Sequence, residues 1–445
     1  MKKVILLWLV AVVIAVELFA GIDVVSINEN DWKASSPLKV ENGEFGYYSN
    51  HTKKTAYYNF SYDEKWFEES AENFNLPLTR MSIRLAMSAA EVSPANVKDL
   101  LQKLKFSDEK TVVSYPEPTT ETVGYIISSK SIKTGSGENY NLIVLAVRGG
   151  GYGAEWADNF NVGDSGNHLG FDTCAKTIGS ALSDYIDVQN LRKEKVKIWI
   201  TGYSRGAAVT NILAHSLSEI YENKDVFAYC FECPRTITEN KTGNTDKNIF
   251  NIVNDIDFVT YMAPQQWGFK RYGIDYKLPS AANLGEKTYA EAKDQMSRQY
   301  GKIFAAANGK PSVNDNVIPY NSTEREKQAD FIRDFFDGIA SGLTRVDAEK
   351  TLFPDVRKII SDSASAKGVV IELGSLNTKN LFMTLVNAAP GALLAFIRYG
   401  ENLNTAPEMF SVLIQSHYPE LCLAWLDTVS EAESVSESQC NLKTL

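Results

Sequence analysis

Histidine is scarce in this chain, with four in 445 residues, at positions 51, 168, 215 and 417. Any chemistry that needs an imidazole has few places to find one. A basic surplus is lacking too: the formal net charge is -10, which excludes the positive patch that phosphate backbones require, so no nucleic-acid partner is expected. Cysteines are few and odd in number (Cys174, Cys230, Cys233, Cys422, Cys440), which excludes a disulfide scaffold and leaves at least one thiol unpaired. Cys230 and Cys233 form a C-x-x-C, but in the strand-like run VFAYCFECPR residues three apart point to opposite faces, so neither a redox nor a zinc site is read there. The N-terminal apolar run, Val4 to Val16 behind two lysines, is short for a bilayer span of about 20 residues. It reads as a secretory signal over 1–20, cleaved after Ala20, with an uncleaved anchor as the alternative.

What is present is ordinary globular composition, 44% hydrophobic and 22% charged, enough for one large core or two smaller ones. Residues 21–119 read as an N-terminal arm, irregular over 21–60 and then carrying two helices in MSIRLAMSAAE and NVKDLLQKLKF. From 120 to 279 short apolar runs (TVGYIISSKSI, NLIVLAV, VKIWITG, VFAYCFE, NIFNIVN) alternate with helical stretches near 171–187 and 206–221. That pattern predicts an α/β fold with a mostly parallel sheet covered on both faces. Residues 280–400 turn helical and read as an insert, 401–427 as completion of the core, and 428–445 as a disordered acidic tail.

Within the α/β block, WITGYSRGAAV sets Ser204 between Gly202 and Gly206, after a strand and before a helix. G-x-S-x-G alone is weak, with on the order of 0.1 chance matches expected in a chain of this length and composition. The strand-turn-helix context is what makes it a nucleophile elbow, where two residues without side chains let a strained serine project its hydroxyl. A serine at an ordinary helix start is the competing reading. A hydroxyl becomes a nucleophile when a base removes its proton, and the base is oriented by a carboxylate. His51 lies in the arm, His215 lies too far along the elbow helix, and His168 precedes the serine. His417 follows it, in the order serine, acid, histidine. Asp255 and Asp257 both stand at the end of the NIFNIVN strand, and either could supply the acid.

Several of these stretches together resemble the class 3, fungal-type lipases of the α/β-hydrolase superfamily. GYSRGAA is similar to that family's GHSLGGA, VLAVRGG to its strand ending in R-G, EWADN to W-x-x-D, HLGF to H-x-G-F, FECPRT to F-G-x-P-R, and VNDIDFVTYMAP to N-x-x-D-x-V-P-x-x-P. The resemblance covers about 120–272 and the stretch around His417. By that register the acid is Asp257, and the backbone N–H groups of Gly150 and Arg205 form the oxyanion hole. Departures are Tyr203 for the usual His, Arg205 for the usual Leu, and Gly150 for a Ser or Thr. Asp257 and His417 stand 160 residues apart, and the helical insert between them is expected to cap the acyl cleft.

The stretch after R-G is a lid in the family. Here Tyr152, Trp156 and Phe160 make an aromatic stripe at four-residue spacing, with Glu155, Asp158 and Asn159 elsewhere. A lid facing lipid and a turn facing the core are both open readings. The resulting expectation is an exported hydrolase of carboxylic esters, foremost a lipase on acylglycerols or phospholipids. It requires no metal or organic cofactor, makes transient contact with a lipid interface and has no stable protein partner. An esterase on acylated polysaccharide and an inactive binding protein on a hydrolase fold are the alternatives.

Overall fold

The computed structural model describes residues 24–26, 43–49, 54–91, 93–119, 122–149, 153–238, 246–278, 322–365 and 416–428, together with Thr384 and Leu394. The expected signal over 1–20, the acidic tail beyond Thr428, Gly150, Tyr152, Cys440 and most of 366–415 lie outside these residues. Among the described residues no helix is long and apolar enough to cross a membrane.

The strands are β1 (Val24–Ser26), β2 (Gly43–Ser49), β3 (Lys54–Phe60), β4 (Val112–Ser114), β5 (Tyr125–Lys133), β6 (Asn139–Val147), β7 (Val196–Tyr203), β8 (Val226–Phe231), β9 (Ile249–Val253) and β10 (Ile274–Lys277). All but β2 and β3 join one sheet in the order β1-β10-β9-β8-β7-β6-β5-β4. Strands β6 through β9, then β10 and β1, run parallel, while β4 and β5 are antiparallel at one edge. Every residue of β7 and β8 is buried, as expected for central parallel strands that must be covered on both sides. This is an α/β architecture, a mostly parallel sheet with flanking helices.

Side chains alternate between two cores because successive strand residues point to opposite faces. Ile198 and Ile200 of β7 pack with helices α4 (Leu169–Val188) and α5 (Arg205–Ile220). Trp199 and Tyr203 face the other way, onto α1 (Leu76–Ala89), α2 (Ala95–Lys103) and α9 (Pro419–Thr428). The expectation of an irregular stretch over 21–60 is therefore corrected. Strand β1 extends the main sheet beside β10, and β2 and β3 form a hairpin that buries Phe45, Tyr47, Tyr58 and Phe60 in the second of these cores. A period-two aromatic pattern interrupted by Gly46 had hidden the pairing.

Helices α6 (Ser322–Gly342), α7 (Arg345–Thr351) and α8 (Phe353–Ser365) are the described part of the expected insert, and α3 (Gly153–Ala157) is the short helix after β6. They build a further core: Phe331, Phe335, Phe336 and Phe353 enclose Trp156, Phe160 and Phe258. Arg345 reinforces it by donating to the carbonyls of Val162, Gly163, Ser165, Gly166 and Asn167, which fixes the loop between α3 and α4 from the insert side.

Candidate active site

The site begins at the C-terminal end of β7, where the chain turns without a spacer into α5. Ser204 sits at φ 57°, ψ -124°, a strained conformation for a residue with a side chain. Neighbouring backbone determines why the flanking residues are glycines. A Cβ on Gly202 would collide with the carbonyl of Gly206, and one on Gly206 would collide with the carbonyl of Val147. The Ser204 N–H donates to the carbonyl of Phe231 at 2.9 Å, and its carbonyl accepts the first helical bond, from Ala208 N–H at 3.0 Å. The Arg205 N–H lies in the first turn of α5, where backbone donors have no partner within the helix.

Asp257 is placed by a turn after β9. Its N–H donates to Asn254 at 3.0 Å, and its Oδ1 accepts from Val259 N–H at 2.8 Å, capping a single 3-10 turn over Phe258–Tyr261. Its other oxygen, Oδ2, lies 2.6 Å from His417 Nδ1, and His417 Nε2 lies 2.7 Å from Ser204 Oγ. Serine, imidazole and carboxylate thus form one continuous hydrogen-bonded chain. Asp255, the other residue considered for the acid, is half-buried and does not reach His417; its carbonyl accepts from the Tyr261 hydroxyl at 3.0 Å. Burial pushes the His417 imidazole down to about 4, so at neutral pH it is uncharged and able to accept a proton.

His417 comes from far along the chain and is held on three sides. Ser416 donates to the carbonyl of Ile256 at 2.7 Å, the Tyr203 hydroxyl donates to the His417 carbonyl, and the Tyr203 ring stacks on the imidazole at 5.0 Å. Behind it, α9 docks on α1 through a bidentate bond from Arg84 to Asp427 and a bond from Arg80 to the Leu426 carbonyl. The other described histidines are structural. His168 is buried against Phe171, donates from Nε2 to the Asn159 carbonyl at 3.1 Å and is pushed down to about 3 by burial, while His215 pairs with Asp246 at 2.8 Å.

The stretch after β6 is not the free amphipathic segment that its spacing suggests. Trp156 and Phe160 face the core shared with the insert, and the polar residues are buried as well. Glu155 pairs with Arg148, and Asp158 with the Arg205 side chain at 3.0 Å, joined by Asn159 at 3.1 Å. Arg205, read from sequence only as a backbone donor, is therefore also an interior cation that ties this stretch to the elbow helix. Arg205→Leu alone leaves the Asp158 carboxylate buried beside an apolar chain and should cost about 3–5 kcal/mol of stability in denaturant unfolding. Adding Asp158→Asn should recover a large part of that loss.

One neighbour of Asp257 went unnoticed in the sequence. Glu232 ends β8, in the FECPRT stretch, at the position where the F-G-x-P-R pattern has glycine. Its backbone is left-handed, φ 50°, which glycine adopts freely and a glutamate adopts only under constraint. Its side chain is buried and accepts from Asn254 N–H at 2.9 Å, and Asn254 in turn accepts from the Asp257 N–H. The substitution in the pattern was the available signal.

A mostly parallel sheet that delivers a serine at a strand-serine-helix elbow, with an imidazole and a carboxylate behind it, has the arrangement of a serine hydrolase site. Residues 144–267, which run from β6 through the elbow and Asp257, match the lipase (class 3) family model. Over these residues the chain is similar to the class 3 lipases. No curated sequence relative matches it. Solved structures similar to it include the triacylglyceride lipase of Rhizomucor miehei, at 16% identity over 47% of this chain and 83% of that one, TM-score 0.33. Another is the mono- and diacylglycerol lipase of Aspergillus oryzae, at 16% identity over 47% and 81%, TM-score 0.33. Lipase II of Rhizopus niveus is similar at 17% identity over 46% and 81%, TM-score 0.34.

Proposed function

We propose that the protein is an exported lipase in which Ser204 is the nucleophile, His417 the general base and Asp257 the orienting acid. The observation that carries this reading is the unbroken Asp257–His417–Ser204 chain, with contacts of 2.6 and 2.7 Å, built on a strained elbow. Ser204 Oγ attacks the acyl carbon as its proton passes to His417 Nε2. Asp257 accepts from Nδ1–H and stabilises the imidazolium that forms, and the same proton then goes to the leaving alcohol. Water repeats the cycle on the acyl-enzyme, releasing the fatty acid. The Arg205 N–H, at the start of α5, is suited to hold the developing oxyanion, with Gly150 as the second donor.

A lipid substrate is supported by the class 3 match and by the apolar wall of Trp156, Phe160 and Phe258, on which the described helices of the insert pack. Because that wall is held by buried ion pairs, a large lid motion would break them, and weak interfacial activation is expected. Export follows from the reading of residues 1–20. The test is to incubate the purified chain with a fluorophosphonate and map the adduct by mass spectrometry. Labelling at Ser204 in folded but not heat-denatured protein supports the triad; labelling nowhere, with or without detergent, sinks it. A parallel panel of glycerolipids against feruloyl and acetyl polysaccharide esters separates a lipase from an esterase.

A further inference from the structure

Two carboxyl groups lie behind His417 where the proposed mechanism uses one. Glu232 ends β8 and Asp257 follows β9, so adjacent parallel strands deliver both to the same side of the imidazole. Each is buried, and Asn254 ties them together, its N–H donating to the Glu232 carboxyl and its carbonyl accepting from the Asp257 N–H; two carboxylates gathered in so dry a place do not both ionise, so one of the two carries a proton. The remaining bonds show which. Asp257 accepts from Val259 N–H and faces His417 Nδ1, both contacts that favour its ionised form, whereas Glu232 accepts a single backbone N–H from Asn254. The left-handed backbone at Glu232 adds a second argument. A strained conformation is retained where the side chain has a task, and glycine would occupy this position without strain.

We infer that Glu232 is a positioning residue that keeps its proton and donates it to Asp257, so that the pair holds one negative charge behind His417. This rests on the triad reading and extends it. The protonated Glu232 orients the Asp257 carboxylate and prevents a second charge from gathering beside the imidazole. Loss of that proton at alkaline pH would replace the bond by repulsion between two carboxylates and release the Asp257 carboxylate from the orientation that holds the imidazole. Burial and the neighbouring Asp257 raise the proton affinity of Glu232 well above the ordinary carboxylate range, consistent with this assignment. The other groups facing the pair are His417, the Tyr203 hydroxyl, Glu420 and Cys422 of α9, Tyr47 of the hairpin and the Arg271 guanidinium.

Glu232→Gln tests this, because the amide retains both bonds, accepting from Asn254 and donating to Asp257, but cannot titrate. At neutral pH its kcat/KM should stay within about threefold of wild type, about 0.6 kcal/mol. Its alkaline decline should be absent or displaced, whereas wild type declines as the pair loses its proton. Glu232→Ala, which removes the donor, should lower kcat at least about tenfold, 1.4 kcal/mol, with KM little changed.

Stability gives a readout independent of turnover. Glu232 binds its proton more tightly folded than unfolded, so its contribution is present below the unfolded value near 4.5 and is lost as pH rises toward the folded value. The melting temperature of Glu232→Gln relative to wild type should therefore climb between pH 5 and pH 8. In wild type alone, the low-field Nδ1–H resonance of His417 should shift as the pair titrates. Superimposable pH profiles, a constant melting difference or an unmoved resonance each overturn the shared proton. Failure of wild type to hydrolyse esters or label at Ser204 instead overturns the triad, and the thermal and spectroscopic measurements still report on Glu232.

Discussion

Ser204→Ala should abolish ester hydrolysis, lowering kcat by about 10,000-fold or more, while leaving the fold intact. The size of the effect follows from the chemistry: among the described residues no other hydroxyl is placed at His417 Nε2, so loss of Oγ removes the proposed covalent route. Stability should move little in either direction. Alanine fills the same backbone space, and relief of one hydrogen bond to His417 is small against the strain at φ 57° that both residues bear. Hydrolysis of a soluble p-nitrophenyl ester and thermal melting, measured on the same sample, check both halves. Wild-type turnover by the variant would place the nucleophile elsewhere.

Asp257→Asn should lower kcat by a comparable factor, about 10,000-fold, for a different reason. The carboxylate accepts from His417 Nδ1–H and so leaves Nε2 free to take the serine proton. An amide presenting its NH₂ group to Nδ1 reverses the tautomer, placing the imidazole proton on Nε2, where it faces Ser204 Oγ and blocks the transfer. Asp255→Asn, two residues earlier, should stay within about threefold of wild type, since that side chain does not reach the imidazole. Initial rates of the two variants against the same ester settle the ranking. If Asp255→Asn proves the more damaging, the orienting acid is misassigned.

What the sequence made legible, and what it hid, divides along local against distant interactions. Strands β5 to β9 and helices α4 and α5 were readable because short apolar runs alternating with helical stretches have few other folded outcomes. Ser204 was readable because its two glycines leave a pattern five residues long, one demanded by the elbow's own backbone and the other by the end of the neighbouring strand β6. His417 could be singled out because the chain has so few histidines, but what fixes it, the docking of α9 on α1 through Arg84 and Asp427, joins residues 343 apart and leaves no local trace. The same holds for the buried pairs Arg148–Glu155 and Arg205–Asp158. As sequence they are charges on a presumed polar face, and only packing turns them inward. Glu232 was hidden differently. Its stretch matched a pattern closely enough that the one glycine replaced was passed over, although a charged residue at a glycine position is the more informative observation.

If Ser204 and His417 act together as proposed, the link between α1 and α9 also sets when the chain can become active. The elbow is complete once residues near 231 have folded, but its base is part of a segment made almost two hundred residues later, and that segment is secured only when Asp427 finds an arginine from the first hundred. A ribosome-bound chain stalled short of this point carries a serine with no imidazole beside it and is inert toward the esters around it. On the proposed triad, hydrolytic capacity therefore requires late and early parts of the chain to have met.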